Sequence, residues 1–324
     1  MFNRLAISIF AFGALIAAML HPAQAQDYPT APVRFIVPVP AGGVTDAMAR
    51  IVAQRLQEMW GQPVVVENRP GGNYSVAAQA VARAPADGYT LLVAPDSTFT
   101  ANPFLFENLS YSTQEFAPTI VLCRATPMLV VSQSLGVSSV EELIALARAK
   151  PGTLNYGSYG IGTYAHLSME DFKRRANVDI VHVPYRGAAP AATGLLAGEI
   201  SMLLLNLSSI EAHEGGGKVR ILASAGEQRV SKRPNLPTVS EAGLPGFSTS
   251  IWFALFGPAN MPSDVVNKIH AGVTKALEMP QTREFFEKNS FERVGLSPAE
   301  FGKLIERDSK HWESLIKTVG VKRQ

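Results

Sequence analysis

The feature that most constrains this chain is an alternation of short β-branched runs with helical periods, which starts near residue 33 and starts again near residue 128. Residues 33–37 (Val-Arg-Phe-Ile-Val) read as a strand. Residues 45–59 follow as a helix with Met48, Ile51, Val52, Leu56 and Met59 on one face, ended by Gly61. Residues 63–67 are the next strand, 75–83 a helix, Asp87-Gly88 a turn and 90–94 a third strand. Strand–helix–strand units close as right-handed crossovers, so this order predicts a parallel sheet with helices on both faces.

The second round begins with a strand at 128–132. Ser138 and Glu141 then form a capping box for a helix ending near Lys150. Strands follow at 154–158, 180–183, 201–205 and 219–223, with helices at 163–175 and through 191–197. Residues 226–249, rich in Pro, Gly and Ser, read as a long surface connection. An apolar return strand at 251–256 is ended by Gly257-Pro258, and the tail is helical. Its last helix opens with Ser297-Pro298-Ala299-Glu300: cap, first-turn proline and capping-box acid together. Two α/β units with a late return segment predict two lobes with a cleft between them. Lobe 1 takes residues 26–126 and 250–324, and lobe 2 takes 127–249.

The beginning of the chain has the order of a secretory signal peptide. Arg4 follows the amino terminus, 5–20 is apolar apart from Ser8 and Gly13, and His21-Pro22 precedes the small-x-small triplet Ala23-Gln24-Ala25. The stretch is short of the roughly 20 residues a membrane span needs. Cleavage is expected before Gln26, and with no Cys nearby a lipid anchor is not expected. Basic and acidic residues number 29 and 27, and removing Arg4 narrows that excess. Such a balance gives no electrostatic reason for a nucleic-acid or acidic-membrane partner. Cys123 is the single cysteine, so no intrachain disulfide is possible, and its apolar neighbours predict a buried, inert thiol.

In open α/β sheets ligands sit beyond the carboxyl ends of strands, where loops lead into helices. Three such loops stand out. The first, Pro38-Val39-Pro40-Ala41-Gly42-Gly43-Val44-Thr45-Asp46, has paired glycines that allow close backbone approach and a helix start that offers N–H groups to an anion. Thr45 or Asp46 is placed to cap that helix. The second runs from Tyr156 to His166. Its Gly160-Ile161-Gly162-Thr163-Tyr164-Ala165 formally matches the dinucleotide fingerprint G-x-G-x-x-A, but the strand 180–183 ends at His182-Val183-Pro184 with no acid for a ribose. Capture of a carboxylate by the helix N-terminus and the Thr163 hydroxyl uses the same geometry without the missing part. The third loop, Pro184-Tyr185-Arg186-Gly187, offers Arg186 either as a carboxylate partner or as a solvated charge. Asp96, Ser97 and Thr98 add polar groups at the equivalent place in the first unit.

Enzyme motifs are incomplete. Ser158 resembles a nucleophile elbow, but Tyr156 stands where G-x-S-x-G needs glycine. Gly215-Gly216-Gly217-Lys218 leads into Val219 and is no P-loop. The histidines His166, His182, His213, His270 and His311 show no ligand-like spacing. His166, on the helix after the glycine loop, reads as packing or capping, and a secreted α/β enzyme using His166 or Asp46 as acid–base stays open as the alternative.

Taken in order, a set of segments resembles the Bug-type receptors, the substrate-binding components of tripartite tricarboxylate transporters. They are Tyr28-Pro29; Val37-Pro38-Val39-Pro40-Ala41-Gly42-Gly43 with Asp46; Gly61-Gln62-Pro63 through Arg69-Pro70-Gly71; Ala84-Pro85-Ala86-Asp87-Gly88-Tyr89-Thr90-Leu91; His182-Val183-Pro184-Tyr185-Arg186-Gly187; and Pro237-Thr238-Val239-Ser240-Glu241-Ala242-Gly243. The resemblance covers essentially all of the chain after residue 25. It implies a periplasmic α/β protein of two-lobed Venus-flytrap fold, each lobe a mostly parallel sheet flanked by helices. It implies a role in serving integral membrane permease subunits, and a monomer with no cofactor is expected. One ligand carboxylate would lie between Ala41, Gly42, Gly43, Thr45 and Asp46 on one side and Tyr159, Gly160, Ile161, Gly162 and Thr163 on the other, with Ser97, Thr98, Arg186 and Asn206 nearby.

The chain departs from the family at three places. Tyr159 and Tyr164 stand where small polar residues are common, and 201–206 carries leucines where many relatives have Asp and Phe. Without that acid a dicarboxylate or aromatic carboxylate is favoured over an amino acid, although Asp46 and Asp96 remain to meet an ammonium group.

Overall fold

The computed structural model describes residues 28–321 and 323. The expected signal peptide and its cleavage point lie outside them. Eleven strands are described: β1 Val33–Val37, β2 Val64–Asn68, β3 Thr90–Pro95, β4 Phe116–Ala125, β5 Pro127–Ser132, β6 Asn155–Ser158, β7 Val181–Pro184, β8 Met202–Asn206, β9 Val219–Ser224, β10 Ile251–Pro258 and β11 Phe291–Glu292. They form two sheets, in the orders β11-β4-β10-β3-β1-β2 and β7-β6-β8-β5-β9.

Each sheet contains the expected three-stranded parallel portion. In the first, β1 lies between β2 and β3, with Val33 opposite Val64 and Phe35 opposite Leu91. In the second, β6 lies between β7 and β8. Antiparallel strands then widen both sheets into mixed ones: β10 between β3 and β4, and β5 between β8 and β9. The ten-residue strand β4 goes beyond the sequence reading. Pro118 breaks its pattern, and its pairing with β10 shifts register beside Phe256, so the proline sits at an irregularity that spares the ladder. Strand β10 does not stop at Phe256 but continues through Gly257 and Pro258, opposite Ala117 and Phe116.

Helices cover the faces of both sheets. Helix Val44–Trp60 ends at Gly61 in the left-handed region, and helix Pro298–Val319 opens with the Ser297–Glu300 capping box. The cap of helix Val140–Ala149 is one residue later than the pattern suggested: Ser139 accepts from the Glu142 amide, and Glu142 reaches back to Ser138.

The first sheet's core centres on Phe99, Phe116, Trp252, Phe256 and Phe301, with the Phe99 and Phe256 rings stacked at 3.8 Å. Trp252 is satisfied by donating to Asp308 at 2.8 Å. The second core gathers Met128, Val130, Leu195, Leu203 and Leu205. Cys123 is fully buried with its thiol against Met48 Sδ, and burial pushes its pKa up. A third cluster brings Leu167, from helix Tyr164–Ala176, against Ala101, Leu105, Trp312, Leu315 and Ile316. Burying such a leucine contributes about 2 kcal/mol, enough to matter to how the lobes meet.

The chain crosses between sheets at Thr126, the one residue separating β4 from β5, and again where Thr249 donates its amide to Ala225 at 2.7 Å. Gly226 packs at this crossing: a Cβ there would lie 2.7 Å from Thr126 Cγ2.

Candidate functional site

The glycine-rich loop between β6 and helix Tyr164–Ala176 is built around two glycines in the left-handed half of the map, Gly160 at φ +132° and Gly162 at φ +81°. Gly162 is pressed against the other lobe, where a Cβ would sit 2.5 Å from Leu105 Cδ1. Its amide donates to His166 Nδ1 at 3.0 Å. Thr163 is the N-cap residue, but its hydroxyl donates to Gly160 O at 2.8 Å rather than capping. Helix geometry leaves the first-turn amides of Tyr164 and Ala165 without intrahelical acceptors, the general feature that suits a helix start to a negative group. The helix is flanked by buried residues at Thr163, Tyr164 and Ala165, so a charge placed there is poorly screened.

Behind the loop stands a stack of three rings. His166 lies on His182 with centroids 4.1 Å apart, and His182 lies on Tyr156 at 4.9 Å. His182 Nε2 is 2.6 Å from Ser158 Oγ, which also bonds the Gly160 backbone. Burial lowers the pKa of both imidazoles, and the His166 charge adds to the effect on His182, which falls to about 4. Both rings are therefore neutral near pH 7.

Tyr159 donates to Leu204 O at 2.5 Å and receives the Tyr164 hydroxyl at 3.3 Å. The two rings meet edge-on at 5.6 Å. Burial drives both phenols upward, so they stay O–H donors.

The first loop is organised differently. Gly43, not Thr45 or Asp46, is the N-cap of helix Val44–Trp60, and it makes no side-chain cap. Asp46, 3% exposed, accepts from Gly42 N, Arg50 Nε and Asn68 Nδ2, each at 2.9 Å. Burial works to raise its pKa, but the bonds from Arg50, Gly42 and Asn68 hold it below the usual range. With both oxygens occupied, Asp46 fixes the loop and is not free to meet a ligand ammonium. Ala41, Gly42 and Gly43 are exposed, as is Arg186.

Beyond β3, Asp96 accepts the Ser97 amide at 2.7 Å and is 2% exposed. Burial, then the nearby Asp308, pushes its pKa well up. It is an electrostatic neighbour of Tyr74 and Tyr164, which joins the end of β3 to the glycine-rich loop. Thr98 is wholly buried and Tyr111 donates to its carbonyl at 2.5 Å, yet its hydroxyl has no protein partner. Asn206 Oδ1, at the end of β8, also lacks one. Native structures rarely leave such groups unpaired without a ligand or water.

Sequence reasoning missed Asn73, Tyr74 and Leu105, the first-lobe residues that face Gly162 and the tyrosine pair. Gly71-Gly72 before Asn73 was the available signal, since Asn73 and Tyr74 adopt φ +49° and +78°. A groove of about 730 Å³ lies elsewhere, bordered by Arg148, Lys173, Arg174 and Thr318.

Ser158 and His182 make the serine–histidine contact that a nucleophilic dyad would need. However, Ser158 is fully buried and its oxygen is shared with the Gly160 backbone, so the pair braces the loop.

Two mixed sheets flanked by helices, with the chain crossing twice between them, define a two-lobed periplasmic-binding-protein fold. The family model described as "Tripartite tricarboxylate transporter family receptor" matches residues 48–321. The chain belongs to that family. It is 33% identical over 318 residues to BugT of Bordetella pertussis, covering 98% of this chain and 97% of that one. The structure of an R. palustris protein with adipate superposes with TM-score 0.86 at 34% identity, covering 92% of this chain and all of the other. MatC from Rhodopseudomonas palustris with bound malate gives 0.81 at 28%, covering 89% and 100%.

Proposed function

We propose that this chain is a periplasmic receptor that closes on one small carboxylate and passes it, unchanged, to integral membrane permease subunits. The lobes are residues 26–126 with 250–324, and 127–249; the signal peptide ends before Gln26, and the receptor works as a monomer. The observation that carries the reading is the wholly buried Thr98 hydroxyl without a protein partner, in the lobe whose Asn73 and Leu105 face Gly162. Amides at Tyr164 and Ala165 supply positive potential to one carboxylate, and Thr98 and Asn206 supply neutral polar groups. Arg186 at the exposed rim attracts anions.

Dicarboxylates or aromatic carboxylates fit better than amino acids. Asp46 is saturated, and the raised pKa of Asp96 favours a neutral acid rather than a counter-ion for an ammonium group. Relatives solved with adipate and malate support the class. A ligand stabilises the shut form only through contacts that the open form lacks.

Thermal unfolding against mono-, di- and tricarboxylates, aromatic acids and amino acids tests the reading. A ligand at 100 times its dissociation constant stabilises by about 2.7 kcal/mol, several degrees for a chain this size. Dicarboxylates or aromatic acids should give the largest shift. A shift confined to amino acids would refute the assignment of ligand class.

A further inference from the structure

Gly42 and Gly162 are held by one device. Each is left-handed, at φ +88° and +81°, and each donates its amide to the third residue of the following helix: Asp46 Oδ2 at 2.9 Å and His166 Nδ1 at 3.0 Å. The chemistry differs. Asp46 accepts as an anion held by Arg50. An imidazole nitrogen accepts only while it carries no proton. We propose that neutral His166 is the positioning residue of the glycine-rich loop, and that its protonation unlocks Gly162 and weakens ligand retention in acid. The consequence for retention rests on reading that loop as the carboxylate site.

With Nδ1 accepting from Gly162, the ring's own proton sits on Nε2, so a proton arriving from solvent must take Nδ1. Two N–H groups then face each other, and the buried Gly162 amide loses its only described acceptor. An unpaired buried donor costs about 1–3 kcal/mol, so the loop must move.

The groups that set this titration come from three elements. On the same helix Glu170 favours the charged ring and Lys173 opposes it, but Glu170 already accepts from Lys173 at 2.8 Å and from Tyr156 OH at 2.5 Å. From β7, His182 lies 4.1 Å away face to face, so the pair resists a second charge. From β6, Tyr156 and Ser158 hold His182 in place. The helix N-terminus adds a further opposing field.

Nitrogen NMR of the purified protein with wild-type, His166→Asn and His166→Leu chains tests this. In wild type the His166 ring should show the Nε2–H tautomer near neutral pH. The Gly162 amide signal should follow its titration in one transition below the ordinary histidine range. Asn places an oxygen where Nδ1 stood, so the Gly162 transition should vanish in His166→Asn. Adipate affinity should then fall about tenfold more in wild type than in His166→Asn between neutral pH and about pH 5, and His166→Leu should bind about tenfold more weakly than wild type at neutral pH. A Gly162 signal that ignores His166, or equal acid loss in His166→Asn, overturns the proposal. A titrating lock in a protein that binds neither adipate nor malate overturns the carboxylate reading of the loop and leaves the lock standing.

Discussion

Gly162 of the second lobe meets Leu105 of the first so closely that a Cβ on the glycine would lie 2.5 Å from Leu105 Cδ1. Only a residue without a side chain allows this meeting, and Gly162 also sits at φ +81°. Gly162→Ala should therefore destabilise by about 1–3 kcal/mol and weaken ligand binding at least about tenfold, because it obstructs the seam between the lobes. Gly302→Ala, inside helix Pro298–Val319 with open space around it, should instead stabilise by about 1 kcal/mol with affinity unchanged. Urea unfolding and titration of the two variants separate the effects.

Asp46 gathers Gly42, Arg50 and Asn68 onto one buried carboxylate. Asp46→Ala leaves all three donors without that acceptor and should cost about 3 kcal/mol in equilibrium unfolding. Its net pKa is lowered, so its contribution is present above the unfolded value near 3.9 and is lost as pH falls through the folded one. The gap between wild type and Asp46→Ala should close in strong acid. A gap that stays constant with pH would contradict the ion-pair account.

The imidazole pair makes the opposite end of the acid range informative. Folding lowers the pKa of His182 to about 4 and lowers that of His166 as well. Between that value and about 6.5 the unfolded chain binds more protons than the folded one, so stability rises with pH across the window and is complete above it. The melting temperature should fall by several degrees from neutral pH to about pH 4, and His182→Gln should flatten the slope. An unchanged slope in that variant would show that His182 is not the titrating group.

Asp96 has the reverse sign. Its folded pKa is raised, so it opposes folding increasingly as pH rises above its unfolded value. Asp96→Asn keeps an oxygen for the Ser97 amide, which now bonds at 2.7 Å, and removes the charge. The variant should be more stable than wild type at pH 8 by about 1–3 kcal/mol in equilibrium unfolding, and the difference should shrink in acid. A destabilised variant at pH 8 would mean that Asp96 is charged and paired.

The two rounds of strand and helix were legible because each parallel strand is a short apolar run between turn residues, and β1, at Val33–Val37, falls where its pattern put it. Strand β4 was not, since Pro118 interrupts a run whose pairing depends on register shifts in its partner. The loops at 41–46 and 159–163 were legible from glycine pairs ahead of helices. What each side chain does there was not. Asp46 and His166 turn inward to hold a glycine amide, and that choice is fixed by Arg50, Asn68 and the ring stack, residues brought together from separate elements. Leu105 carries no motif, and Asn73 is marked only by the Gly71-Gly72 turn before it; that both face Gly162 is set by how the lobes meet.

Calorimetric titration of a dicarboxylate series, adipate and malate included, into protein shown ligand-free by denaturing mass spectrometry tests the central claim most directly. The account predicts saturation at one ligand per chain with a negative heat-capacity change, and every ligand molecule recovered intact. Absence of heat with every carboxylate in ligand-free protein, or turnover of the ligand, would contradict it.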